Sequence, residues 1–120
     1  MPTRRRSSAH ALDQPIAGIK AELFKALAHP GRIRILEELA AGEHNVSELA
    51  GAVDLELSHL SQQLGVLRRA GLVTARREGS SIFYSVRSPE LLELLAVAKR
   101  LLLGNLEEMR HLLSGLKASP

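Results

Sequence analysis

The sequence predicts a mainly α-helical domain with one small β-hairpin, and two observations indicate this fold class. Residues 45–54 and 57–70 each have the apolar spacing of a short helix, and only a tight turn separates them. Directly after them, two stretches of strand-forming residues flank Glu78-Gly79-Ser80, a sequence typical of a hairpin turn. We therefore expect an α+β arrangement in which two consecutive helices are followed by a two-stranded ribbon.

The first helix of the pair begins with a capping signal. Asn45 and Glu48 have the spacing of a capping box, and Ser47 is an alternative cap. Its apolar face is formed by Leu49, Ala50 and Val53. Asp54 interrupts the pattern, so we expect the turn there.

The second helix has a leucine stripe and an opposite polar face. The leucines recur at steps of three, four and three residues, which predicts one buried stripe: Leu57, Leu60, Leu64 and Leu67. At about 100° per residue, the opposite face carries Ser58, Gln62, Gly65 and Arg69, with His59 and Ser61 on its flanks. Serine, glutamine and histidine can hydrogen-bond to base edges in the major groove, and Gly65 would let the backbone come close. Gly71 is expected to end the helix.

The hairpin is predicted over Leu72 to Arg77 and Ser81 to Val86. Arg76 and Arg77 lie just before its tip, where they can contact a phosphate or the minor groove, although they could also be a solvated edge that keeps the hairpin soluble. This order of elements is a winged helix-turn-helix, with the hairpin as its wing. The candidate DNA-binding residues are Ser58, His59, Ser61, Gln62, Gln63, Arg69, Arg76 and Arg77.

Several segments resemble the ArsR/SmtB-type bacterial regulators, a family of homodimeric winged-helix repressors. Residues 24–30 and 32–36 are similar to the family's opening signature, and residues 60–64 and 67–73 to its recognition helix and exit. The resemblance extends over about residues 19–100. It implies double-stranded DNA as partner and a homodimer in which the N- and C-terminal helices pair across the two-fold axis.

The flanking segments complete the expected architecture. Residues 1–14 mix Pro, Ser and Arg without periodicity and are expected to form a disordered basic tail, either solvated or trailing along phosphates. Helices are predicted over Ile16 to Ala28 and Ile33 to Ala40, with Pro30 fitting a first helical turn. The winged-helix domain is then expected to span residues 15–116.

A leucine-rich segment over residues 89–116 is predicted to be the dimerisation helix. Its leucines recur every three or four residues and are too many for one small domain to cover. The predicted interface residues are Leu95, Leu102, Leu106 and Leu113. Gly104 and Asn105 are a point at which this helix could bend or break.

Composition limits the other possibilities. A chain of 120 residues is one domain, and a net charge of +3 with a pI of about 9.8 permits DNA binding without requiring it. Because the chain has no cysteine, thiolate chemistry is excluded, and we expect no arsenite response. No apolar run is long enough for a membrane span and no signal peptide is recognisable, so a cytoplasmic protein is expected.

The effector is the least determined feature of the sequence. The family resemblance places a metal-binding cysteine pair at Asn45 and Ser47, which cannot bind as thiolates. The family's other metal site falls at Ser88, Glu90, Leu101 and Gly104, where only Glu90 is a potential ligand. Both sites are therefore expected to be absent.

The remaining candidate metal ligands are Glu107 and His111, four residues apart on a helix, with His10 joining from the tail. Such ligands favour nickel, zinc or cobalt. Alternatives are a small organic ligand between the terminal helices, a partner protein that supplies the sensing, or no ligand.

We interpret the chain as a DNA-binding transcriptional regulator, with repression favoured over activation. It would bind an inverted-repeat operator as a homodimer. The alternative is a protein-interaction module with the same fold that has lost DNA binding. No motif places a nucleophile, a phosphate-binding loop or a catalytic triad, so an enzyme is not expected.

Overall fold

The computed structural model describes the backbone of residues 2–118 and the side chains of residues 15–116. Its elements in chain order are α1 (Pro2–Leu27), α2 (Pro30–Leu39), β1 (His44–Asn45), α3 (Val46–Val53), α4 (Leu57–Arg69), β2 (Val73–Glu78), β3 (Ser81–Val86) and α5 (Pro89–Ala118). The three strands form one antiparallel sheet in the order β1-β3-β2. The predicted winged helix-turn-helix fold is confirmed. The chain divides after Arg87 into two compact units, of which the second contains α5.

The first helix is longer than predicted. α1 includes residues 2–14, for which the composition predicted a disordered tail, and it contains Pro15 in its interior. The side chains of residues 2–14, including Arg4, Arg5, Arg6 and His10, lie outside the described residues, so a contact of this tail with DNA stays a prediction. α1 ends at Leu27, one residue before the predicted end.

α2 begins three residues before the predicted start, at Pro30, because His29 caps it. The His29 imidazole Nδ1 accepts a hydrogen bond from the Gly31 amide at 3.0 Å. Proline at the first helical position costs no hydrogen bond, since that amide would have no helical partner.

The helix-turn-helix is defined by three local signals. Asn45 Oδ1 accepts a hydrogen bond from the Glu48 amide at 2.9 Å, and Glu48 Oε1 accepts one from the Asn45 amide at 2.8 Å. This completes the predicted capping box of α3. The turn follows at Asp54, whose φ of 55° is left-handed. After α4, Gly71 adopts φ +75°, and the Leu72 amide donates to the Leu67 carbonyl, which is the Schellman closure.

The leucine stripe of α4 is shorter than predicted. Leu60, Leu64 and Leu67 are fully buried, but Leu57 is 58% exposed. Leu57 is the first residue of the helix, so its burial would need a neighbour beyond the helix start. Glu56, the cap residue, makes no side-chain capping bond. The other buried apolar side chains of the first unit are Leu27, Ile35, Leu36, Leu39, Leu49, Val53 and Val73.

The wing has one more strand than predicted. β3 has the predicted bounds, and β2 is shifted by one residue relative to the prediction. The added strand β1 pairs His44 with Tyr84 and Asn45 with Phe83. Two residues carry no periodicity, so no sequence pattern could have indicated this strand.

The second unit is the helix α5, which runs without a break through Gly104 and Asn105. The Ser88 hydroxyl donates to the Glu90 carboxylate, and this bond lowers the pKa of Glu90. Three of the predicted interface leucines, Leu102, Leu106 and Leu113, are more than half exposed, and Leu95 is half-buried. None of the described helices is sufficiently long and apolar to traverse a bilayer.

Candidate nucleic-acid interface

The exposed face of α4 carries four polar side chains whose hydrogen-bonding groups are free. Ser58, His59, Ser61 and Gln62 are all exposed. Among the side chains that the structure describes, none forms a hydrogen bond or ion pair with these four. Because the buried leucines fix the rotation of α4 about its axis, these groups are held toward solvent in a defined direction. This is the donor and acceptor chemistry that contacts base edges.

Gln63 differs from these four residues because its side chain forms a hydrogen bond within the protein. Its Oε1 accepts a hydrogen bond from Arg32 Nη1 at 3.0 Å. Arg32 also donates from Nε to the Ala26 carbonyl at 2.6 Å and from Nη2 to the Lys25 carbonyl at 3.4 Å. Gln63 therefore links α4 to the end of α1, a role that the sequence prediction of a DNA contact missed.

Arg69 lies on the predicted face of α4, but at its end. It is seven residues beyond Gln62, which is about 10 Å along the helix axis. Its guanidinium folds back over Gly65, where an added Cβ would come within 3.2 Å of Nη1. The space at Gly65, predicted to admit a close approach of DNA, is thus occupied by the Arg69 side chain.

Arg76 is engaged by two carboxylates and an aromatic ring. Its Nε and Nη2 donate to both oxygens of Glu43 at 2.9 and 2.6 Å, and Nη1 donates to Glu78 at 2.7 Å. The guanidinium carbon lies 4.9 Å from the centre of the Phe83 ring. The hydrogen bonds from Arg76 lower the pKa of Glu43, and the same bonds raise the pKa of Arg76. Arg76 therefore ties β2 to the segment before β1.

Arg77 has no such partners. Neighbouring residues of a strand point to opposite faces of the sheet, so Arg77 lies on the face away from Glu43. It is exposed, and no carboxylate among the described side chains is within ion-pair distance. Of the two wing arginines, it is the one whose charge remains available to a phosphate.

The candidate metal ligands are only partly described. Glu107 and His111 are exposed and one helical turn apart on α5, whereas the side chain of His10 lies outside the described residues. Within residues 15–116, no three potential ligands come together as a metal site would require. The Nδ1 atoms of His29 and His44 are both hydrogen-bonded to backbone groups. His29 Nδ1 accepts from the Gly31 amide, and His44 Nδ1 is 2.7 Å from the Gly42 carbonyl oxygen.

Comparison with known proteins agrees with this geometry. The sequence model of the family described as bacterial regulatory protein, arsR family, matches residues 29–75. The uncharacterized HTH-type transcriptional regulator Rv0081 of Mycobacterium tuberculosis is 52% identical over 106 residues, which cover 88% of this chain and 93% of the relative. The crystal structure of Rv0081 superposes with a TM-score of 0.72 and 55% sequence identity. The matched region covers 78% of this chain and 95% of the solved chain.

Two further solved structures share the fold. The winged helix-turn-helix domain Mb0332 of Mycobacterium bovis, described as homodimeric and as a possible ArsR-family regulator, has a TM-score of 0.72 and 33% identity, covering 80% of this chain and 89% of its own. The transcriptional repressor BigR of Xylella fastidiosa has a TM-score of 0.70 and 34% identity, covering 77% and 94%. These relatives are transcriptional regulators, a non-enzymatic class. With 52% identity to a relative over 88% of its length and with the winged helix-turn-helix in place, this chain belongs to the ArsR/SmtB family of DNA-binding transcriptional regulators.

Proposed function

We propose that this regulator is a homodimeric repressor in which the exposed face of α4 contacts the bases of an inverted-repeat operator. The observation that carries the proposal is the set of four exposed polar side chains on α4, from Ser58 to Gln62, whose direction the buried leucines fix. Their length and chemistry suit the major groove. A dimer seated on an operator would exclude other proteins from that DNA, so repression is the simplest outcome of binding.

The exposed leucines of α5 support a second copy of the chain as partner. Leu102, Leu106 and Leu113 recur at the spacing of one helix face, and each is more than half exposed. Covering a leucine side chain stabilises an assembly by about 1.5–3 kcal/mol. A two-fold dimer presents two α4 helices, which is why we expect an operator with two inverted half-sites.

The wing is proposed to hold the DNA backbone through Arg77 alone. The Nε and Nη2 groups of Arg76 donate to the Glu43 carboxylate, so a phosphate would have to displace that carboxylate to bind there. We therefore assign Arg77 to phosphate contact and Arg76 to wing support.

A metal response would need more ligands than Glu107 and His111 alone provide. Glu107 and His111 offer two ligands, and four are usual for zinc. A regulatory nickel or zinc site would need His10 or residues of a second subunit to complete it. Without thiolates, soft ions such as cadmium are expected to bind poorly.

The first prediction separates base contact from structural support with two neighbouring glutamines. Gln62→Ala should cost about 1–3 kcal/mol of affinity for the operator and little for random DNA. Gln63→Ala should instead lower the free energy of unfolding by about 0.5–1.5 kcal/mol, because Arg32 loses an acceptor, while the preference for the operator remains. Fluorescence anisotropy and urea unfolding measure the two effects. If Gln62→Ala weakened both DNAs equally, the assignment of the base-contacting face would be wrong.

The second prediction compares the two wing arginines. Arg77→Ala should weaken operator and random DNA alike, and the slope of log affinity against log salt should become shallower by about one per lost phosphate contact in each subunit. Arg76→Ala should leave that slope unchanged, because its charge is neutralised by Glu43 and Glu78. Equal changes of slope in both variants would contradict the distinction between them.

The third prediction tests the dimer interface. Replacing both Leu102 and Leu106 by glutamate should give monomers by light scattering, because the charges would be buried in the dimer interface. Operator binding should be lost with the dimer. Val97→Glu is the control, because Val97 is also an exposed apolar residue of α5 but lies roughly 140–180° around the helix axis from Leu102 and Leu106. A well-folded dimer of the double variant would show that the interface lies elsewhere.

A further inference from the structure

A cleft of about 690 Å³ lies between α1 and the end of α4 in the first unit. Its apolar lining comes from one face of α1, with Ile19, Leu23 and Ala26, and from Val66 and Ala70 across the gap. The volume lies within the range of about 300–1,000 Å³ that is typical of pockets for small organic molecules. The lining includes none of the four exposed polar residues at the start of α4 and no residue of the wing, although it includes Arg69 at the end of α4.

The charged groups of the cleft favour an anion. Lys25, Arg32 and Arg69 line it together with a single carboxylate, that of Glu22, which leaves an excess of two positive charges. No ion pair involving these four groups exists among the described side chains. The cleft therefore combines apolar walls with uncompensated positive charge.

The two arginines of the cleft differ in their surroundings, but neither forms an ion pair with a described side chain. Arg32 is half-buried and donates to three neutral oxygens, those of Lys25, Ala26 and Gln63, so its charge has no counterion among the side chains of residues 15–116. Arg69 lies folded over Gly65 rather than extended into solvent. A planar guanidinium without a counterion suits a carboxylate, which can accept two parallel hydrogen bonds.

We propose that this cleft binds a small amphipathic monoanion, a carboxylate with an apolar body, and that Arg32 and Arg69 bind the carboxylate. Binding would draw Arg32 toward the ligand and away from Gln63, loosening the link between α1 and α4. A change of operator affinity would follow, and this consequence rests on the proposed function, whereas the binding itself does not. A second copy of the chain seated on the cleft is the rival occupant and would leave no space for the ligand.

The test is calorimetry on the full chain with octanoate as probe. Octanamide has the same apolar body without the charge, and acetate has the charge without the body. Octanoate should bind with a Kd on the order of 0.1–1 mM, as expected for a ligand of this size, and both controls should bind at least about tenfold more weakly. Octanamide binding as tightly as octanoate, or no octanoate binding in this range, would overturn the proposal.

Two variants locate the site. Ala70→Leu fills the cleft and should weaken octanoate binding at least about fivefold. Glu22→Gln removes the only carboxylate of the cleft lining and should tighten octanoate binding about threefold at low salt. Because Glu22 is exposed, this variant should fold and keeps the test valid if Ala70→Leu fails to fold. Glu37→Gln removes another exposed carboxylate, on α2, that does not line the cleft, and it should leave octanoate binding unchanged. Equal effects of the two glutamate variants would place the octanoate site elsewhere.

The regulatory step has its own readout. Saturating octanoate should lower operator affinity measured by anisotropy. Unchanged affinity with intact octanoate binding would overturn the coupling through Arg32. A protein that binds octanoate but no DNA would refute the proposed function instead and leave the ligand site standing.

Discussion

The burial of Leu60, Leu64 and Leu67 is the constraint on which the DNA-binding surface depends. These leucines fix α4 against α2, α3 and β2, and since residues of a helix advance by about 100° each, their burial decides which side chains face solvent. The polar side chains from Ser58 to Gln62 are therefore held toward solvent, although no other described side chain forms a hydrogen bond or ion pair with them. A rotation of α4 by one residue would bury hydrogen-bonding groups, which costs far more than it gains.

Intramolecular partners separate the arginines of this protein into different roles. Arg76 forms ion pairs with Glu43 and Glu78. Arg32 donates hydrogen bonds to a backbone carbonyl at the end of α1 and to Gln63. Arg77, next to Arg76 in sequence, is left without a carboxylate among the described residues. The number of lysines and arginines in the sequence, 16, therefore overstates the number of cationic side chains that are free to contact DNA, because Arg76 is already paired within the protein.

The features predicted correctly from sequence are those with local causes. The Asn45–Glu48 capping box, the glycine closure at Gly71 and the strand Ser81–Val86 depend on residues a few positions apart. The features that were missed depend on distant residues: Arg32 meets Gln63 across 31 positions, and Arg76 meets Glu43 across 33. The strand β1 exists only because β3 offers it a partner. Leucine periodicity could not foresee the exposure of Leu57, because burial at a helix end depends on what lies beyond it.

The most direct test of the account is an NMR titration of the ¹⁵N-labelled protein with operator DNA, observed at the side-chain amides of Gln62 and Gln63. These two groups are adjacent in sequence, but only the first is free to meet a base. The Gln62 amide signal should shift strongly with operator and weakly with random DNA, while the Gln63 signal should change little with either. A large operator-specific shift at Gln63 with an unmoved Gln62 would mean that another face of α4 meets the DNA.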